Sequence, residues 1–256
     1  LMPVFLIFIH EKSSVSSSAE TALEERVELN TKSFLATTRE LLLRREVIIS
    51  GLIGGILFLS LAVMADNLAP AFVKIDLQGV KGVTDIQILK VSRAIYFGWL
   101  FGAPLAGWLT EYFKTRRMIL MWGILLATLT FVIILTLPIH QPIVLEALLF
   151  LFGLFSSVEI LCFTVVRDQV PLKNIAMAMG VVNFMVMLVS TCVMPLLTRL
   201  LDVFWAGGYQ SLKGATVKLY SLHAYHIALS LVPVLYAIAF LLVCWLAESY
   251  PRIGRK

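Results

Sequence analysis

Charge is scarce in this sequence. Asp, Glu, Lys and Arg make up 14% of the 256 residues, against about 25% in an ordinary soluble domain, and they cluster between long apolar runs. That shortage excludes a soluble globular domain. Cysteine is scarce too. Cys162, Cys192 and Cys244 all fall inside apolar runs, so they supply neither a disulfide framework nor metal-ligand spacing. No Gly-rich loop stands ahead of a Lys-Ser or Lys-Thr pair, which removes the usual sign of ATP drive. The apolar runs also lack the histidine and acid cluster that a nucleophile–base pair or a metal would need at membrane depth. A membrane enzyme or protease is therefore set aside, and neither a cofactor nor a metal is expected.

What the chain has is apolar length. Apolar residues make up 59% of it and the mean hydropathy is +0.91. The runs are unbroken over about twenty residues, the length that crosses a bilayer as a helix. β-Barrel strands would alternate in segments of about ten. The fold class is all-α, a polytopic membrane protein. The net charge of +5 is mostly lysine and arginine in loops, so no nucleic-acid partner is expected.

The chain divides as follows. Residues 1–11 hold a short apolar stretch followed by charge, too short to span and without the pattern of a signal peptide. They read as the end of a truncated transmembrane helix, which would make the chain a fragment; the alternative is a genuine start at Met2 with a short surface segment. Residues 12–45 are polar but periodic and read as a linker with amphipathic helices at the membrane surface. Residues 46–247 form a six-helix transmembrane bundle, with spans near 46–69, 88–112, 118–137, 143–166, 175–200 and 222–247. Pro70 is expected to stop the first, and Pro195 to kink the fifth. Residues 71–88 and 201–221 are expected as outer loops, and 248–256 as a basic tail. The linker, the 114–117 turn, the 167–173 loop and the tail hold 14 of the 21 basic residues. The positive-inside rule places them in the cytoplasm.

The stretch GWLFGAPLAGWLTEYFKTRR, Gly98 to Arg117, joins two of these spans. Its start carries a small-xxx-small run, Gly98, Gly102 and Ala106, that suits close helix packing, as do Gly51 and Gly55 in the first span. Its end is a basic turn with Glu111, Lys114, Arg116 and Arg117. The pattern from Gly107 through Leu109 and Glu111 to Arg116 and Arg117 resembles the loop signature of the major facilitator superfamily, with Glu111 where that family usually has Asp. LLFLFGLFSSVEILCFTVVRDQVP, with its internal Gly153, is similar to the family's tenth helix. AMAMGVVNFMVMLVSTCVMPLLTRLLD, with Gly180, Asn183, Pro195 and Asp202, is similar to its eleventh.

The resemblance covers nearly the whole chain and implies the family's C-terminal half, from the end of helix six to helix twelve. It implies a multi-pass secondary transporter of the plasma (inner) membrane, moving a small solute by alternating access about a central site. The half is then built from inverted three-helix repeats, and its partner is a missing N-terminal six-helix half. The resemblance also implies that the acidic residue of the turn, here Glu111, braces helix ends in one access state and releases them in the other. Lys114, Arg116, Arg117 and Gly107 belong to that gating loop; the competing reading is plain topology.

Four polar residues in or near the spans are candidates for binding solute or protons, because ionisable groups inside a membrane are costly. Glu159 lies well inside the fourth span. Asn183, in the antiparallel fifth, comes out at a similar depth, so the two suit a polar contact. Arg93 lies in the outer part of the second span and Asp66 near the outer end of the first, which makes an Asp66–Arg93 pair geometrically reasonable. Each has a bland counterpart: a helix-packing hydrogen bond for Glu159 or Asn183, snorkelling for Arg93, an interfacial cap for Asp66. Transport coupled to protons through Glu159 leads; a non-transporting receptor or assembly half is the alternative.

Overall fold

The computed structural model describes residues 35–78, 83–137, 139, 141–212 and 215–250. The expected truncated helix at 1–11, most of the 12–45 linker and the end of the tail lie outside them. Contacts divide the chain into Leu1–Leu42 and Leu43–Lys256. In the first unit the described residues belong to helix α1, residues 35–43.

The second unit is a bundle of long helical rods. The first rod is α2 (Arg45–Leu59), a nine-residue π-helical stretch (Ser60–Leu68) and α3 (Ala69–Asp76). The next two are α4 (Asp85–Phe113) and α5 (Arg116–Thr136). Then come α6 (Pro142–Ser156), a 3₁₀ turn (Ser157–Glu159) and α7 (Ile160–Gln169) in one line, and α8 (Ile175–Val203) after a second 3₁₀ turn, Leu172–Asn174. The last rod is α9 (Leu222–Leu229) followed, after Ser230, by α10 (Leu231–Trp245). Five rods, those holding α2, α5, α6, α8 and α9, are long and apolar enough to cross a membrane. The remaining rod, α4, corresponds to the second of the six expected spans. At 29 residues α4 is long enough at about 1.5 Å per residue, but its glycines, Pro104, tryptophans and tyrosines dilute its apolar character.

Local chemistry sets several helix starts. Thr84 and Gln87 form a reciprocal capping box at α4, the Gln87 N–H donating to Thr84 Oγ1 at 3.3 Å and the Thr84 N–H to Gln87 Oε1 at 3.0 Å. Ser221 accepts from the Ala224 N–H at 3.2 Å and caps α9. Pro142 opens α6, where its missing N–H leaves nothing unpaired. Pro70 does not stop the first rod as expected. It sits in the first turn of α3, directly after the π-helical stretch, and the rod continues to Asp76. The π-helical turns have already displaced the usual bonding pattern, and Asn67 Nδ2 donates to Ala62 O at 2.6 Å. Helix α8 stays continuous through Pro195.

The most extensive packing joins α4 to α6 and α2 to α8; α5 packs on α6 and α10. Gly98 of α4 and Gly153 of α6 mark the closest approach. A Cβ at Gly98 would collide with Phe150 O and lie 2.6 Å from Leu154 N, and one at Gly153 would collide with Ile95 O. Gly51 and Gly55 instead face Met185 and Val189 of α8. The core centres on Phe131, Phe152 and Tyr236, all fully buried, with ring centroids 4.6 Å and 5.8 Å apart in sequence along that row.

Residues 201–221, expected as an outer loop, contain a β-hairpin. Strands β1 (Gly208–Leu212) and β2 (Ala215–Leu219) pair antiparallel with Tyr209 opposite Lys218. Asp202, at the end of α8, accepts from Lys218 Nζ at 2.8 Å and from the Tyr220 hydroxyl at 2.6 Å. Lys218 also lies 5.1 Å from the centroid of Trp205. The hairpin is therefore tied to the helix it follows.

Candidate solute and proton site

Glu159 ends the 3₁₀ turn between α6 and α7, and it is buried, with 5% of its surface exposed. Its carboxyl has no hydrogen-bond or ion-pair partner among the described residues. It faces Gly54 of α2. A Cβ built at Gly54 would lie 3.6 Å from Glu159 Oε1, 3.6 Å from Cys162 Cβ and 3.0 Å from Val186 of α8. The missing side chain at Gly54 leaves the carboxyl its place.

One turn farther along the same interface runs a chain of hydrogen bonds through four rods. Trp99 Nε1 donates to Ser60 Oγ at 2.9 Å, and the Ser60 hydroxyl donates to Leu57 O at 3.0 Å. The Tyr236 hydroxyl also donates to Leu57 O, at 3.1 Å, and lies 2.9 Å from Ser156 Oγ. Every polar group in this chain has a partner, which is the condition for burying it cheaply. Sequence reading missed Tyr236, because a tyrosine in an apolar run looks like packing.

Asn183 does not meet Glu159. It lies on the exposed face of α8, next to Phe184. The helical phase puts the buried residues Val182 and Val186 toward the bundle and Asn183 away from it. The expected Asp66–Arg93 pair is not formed either. Asp66 instead accepts from the Tyr96 hydroxyl, three residues beyond Arg93 on α4. Arg93 lies on the same exposed stretch of that helix and interacts electrostatically with Tyr96. Lys90, one turn earlier, pairs with Glu146 of α6 at 3.6 Å. The structure thus groups Asp66, Tyr96 and Arg93 at the end of the bundle away from the basic turn, with Tyr96 as the link the sequence did not reveal.

Among the described residues the basic turn is densely bonded. Lys114 adopts a left-handed conformation, φ 55°, that ends α4. Arg116 is buried, pairs with Asp168 of α7 and donates to Thr164 O at 2.7 Å. Arg117 donates to Cys244 O at 2.7 Å. Glu248 accepts from Thr115 Oγ1 at 2.5 Å and from the N–H groups of Arg116, Arg117 and Tyr250 at 3.0, 3.2 and 3.1 Å. A carboxylate there also complements the N-terminal dipole of α5. Glu111 accepts from the Tyr250 hydroxyl at 2.8 Å and lies 3.8 Å from Lys114, which donates to the same hydroxyl at 3.0 Å. Arg44 and Arg45 reach Gln169 O and Trp245 O at 3.2 and 3.3 Å. The turn therefore ties the junction of α4 and α5 to α7, α10 and the segment after α10, while Arg44 and Arg45 tie the start of α2 to the ends of α7 and α10. A Cβ at Gly107 would meet nothing within 4 Å. Asp168, Glu248 and Tyr250 are the partners sequence reading passed over.

Burial pushes the Glu248 carboxyl up, but the bonds from Thr115 and from three backbone N–H groups outweigh it and hold the group below its ordinary value. A depressed carboxyl contributes stability that is present at neutral pH and lost as pH falls through its folded-state value. The contact between the turn and the segment after α10 is expected to open in acid. Spin labels at Phe113 and Ala247 should separate on acidification, and Glu248→Gln should flatten that response.

Residues 1–195 and 47–256 each match the family profile described as Major Facilitator Superfamily. The chain belongs to this family. No curated protein matches it. As a member of the major facilitator superfamily it is an integral, multi-pass membrane transporter rather than an enzyme, and its natural partners are the bilayer and a small-molecule solute. Its exposed aromatic side chains, Phe97, Phe101 and Trp108 on α4 and Phe184 on α8 among them, need no aqueous explanation in such a protein.

Proposed function

We propose that this major facilitator protein is a proton-coupled secondary transporter working by alternating access. The observation that carries this reading is Glu159: a buried carboxyl, seated over a glycine, with no partner among the described residues. An ionisable group inside a membrane protein is retained at a cost, and ion pathways are where that cost recurs. The Asp66, Tyr96 and Arg93 group offers the solute a carboxylate, a phenol and a guanidinium on one exposed patch; Asn183 lines a separate exposed face. The clamp of Glu111, Lys114, Arg116 and Arg117 supplies charge-assisted bonds that a rocking motion would break and remake.

In this reading the chain supplies a C-terminal half whose rods, α4 included, all span the plasma membrane with the basic turn in the cytoplasm. An N-terminal six-helix half completes the cavity. The test is uptake of a solute panel by vesicles holding the protein with both halves, with a pH gradient and after a protonophore. At least one solute is expected to enter in a gradient-dependent way. Arg93→Gln is expected to raise its KM about tenfold or more, the loss of one charge-assisted contact. Uptake indifferent to the gradient across the panel would sink the coupling claim.

A further inference from the structure

We propose that Tyr236 is the positioning residue for Glu159, an inference that rests on the reading of Glu159 as the proton site. Glu159 and Gly54 face each other across the α7–α2 interface. Three residues along on each side stand Ser156 and Leu57, and both bond to the single hydroxyl of Tyr236, at 2.9 Å and 3.1 Å. Ser156 is the last residue of α6 and enters the 3₁₀ turn that carries Glu159. Leu57 is in the last turn of α2, before the π-helical stretch. Both walls of the carboxyl's seat therefore lie beside a helix irregularity, and irregular turns fix a side chain less firmly than regular helix. Tyr236 reaches them from a third rod and holds their separation and register. Its ring is fully buried against Phe152, so the hydroxyl has a fixed origin. The same Leu57 carbonyl takes the Ser60 hydroxyl, which in turn takes Trp99 Nε1, so a displacement of α4 is transmitted to the seat.

The other groups around the carboxyl leave this role to the tyrosine. The Cys162 thiol is the titratable neighbour in electrostatic contact with Glu159. From α2 the facing residue is Gly54, and Val186 of α8 lies beside that glycine. The charges at the far end of α7 and the start of α5, Asp168 and Arg116, pair with each other, and Asp168 also pairs with Arg167 at 3.4 Å.

The test reads the proton on Glu159 directly. Infrared difference spectra of the full chain in nanodiscs are titrated with pH, and the Glu159 carboxyl band is assigned by its loss in Glu159→Gln. Tyr236→Phe keeps the ring and removes the two bonds. It is expected to move the midpoint of that band by about half a pH unit or more, the scale on which a changed environment shifts a carboxyl. Ser156→Ala, a milder change that guards against misfolding, is expected to move it in the same sense. The double variant should move it no further than the larger single, because both break one link. Tyr225→Phe, a buried tyrosine of α9 outside this chain of bonds, should leave it in place. A midpoint unchanged in Tyr236→Phe and Ser156→Ala, alongside a lowered thermal midpoint, would make Tyr236 purely structural and overturn the proposal while the proton site stands. Absence of any titrating band lost in Glu159→Gln would overturn the proton site and the proposal together.

Discussion

Arg116→Met is expected to destabilise the folded protein by about 3–5 kcal/mol, the cost of leaving a buried charge without its partner. Arg116 has 4% of its surface exposed, and Asp168, its partner, is mostly buried as well. Removing the guanidinium leaves the Asp168 carboxylate only the exposed Arg167, whose Nε lies 3.4 Å from Oδ1, and takes away the donor that Arg116 Nη1 supplies to Thr164 O at 2.7 Å. The double variant Arg116→Met with Asp168→Leu should recover much of the loss, because no uncompensated charge then remains. Thermal unfolding in detergent measures both. The contrast matters for function. If the pair serves only stability, the double variant should transport like the wild type. If it belongs to the gate, stability returns while the balance of inward and outward states does not.

Gly98→Leu is expected to have the second large effect, for a steric reason. The α4 and α6 backbones meet at Gly98 and Gly153, and a Cβ at Gly98 already collides with the facing backbone. Backbone cannot yield as a side-chain tip does, so the helices must separate and the surrounding packing opens. Overpacking a well-filled interface costs about 1–3 kcal/mol and sometimes more; this contact lies at the upper end. Even Gly98→Ala should lower the thermal midpoint by several degrees, since about 1 kcal/mol moves a protein of this size by ~2–4 °C. Gly107→Leu is the control within the same helix, because a Cβ there meets nothing within 4 Å; it should unfold like the wild type. Equal losses at the two positions would mean that α4 and α6 do not pack as described.

The two results rest on different kinds of sequence information. The small-residue run at Gly98, Gly102 and Ala106 was legible, because close helix approach requires residues without bulk, and the structure places Gly98 at the tightest contact. The apolar runs marked the rods for the same reason: a bilayer imposes a length. Glu159 stood out because a carboxylate is rare in such a run. What stayed hidden depended on which residues meet across rods. Asp168 and Glu248 read as ordinary loop charges until Arg116 and the α5 terminus were beside them. Tyr236 looked like one more core aromatic. Asn183 was assigned a depth but not a direction, and its direction is outward. Pro70 carried its usual meaning as a helix stop, which the preceding π-helical turns cancel. The hairpin at 208–219 was missed because its strands are short and sit in an outer loop whose glycines and aromatics suggested a membrane interface.

The clamp and the Glu159 carboxyl lie in different parts of the bundle, and the proposed alternating access would require them to be coupled. The rods themselves provide the connection. α7 carries Asp168 at one end and begins just after Glu159 at the other. Motion that breaks the Arg116–Asp168 pair therefore acts on the turn that seats the carboxyl. In the proposed reading, protonation of Glu159 would act back on the clamp by the same path, as linkage between two sites requires.

The most direct test of the account is a comparison of two transport modes in the wild type and in Glu159→Gln, in vesicles holding both halves and a solute found in the panel. Gradient-driven accumulation requires proton coupling; solute counterflow does not. The account predicts that Glu159→Gln retains counterflow and loses accumulation. Accumulation in Glu159→Gln at the wild-type level, driven by the same pH gradient, would contradict it.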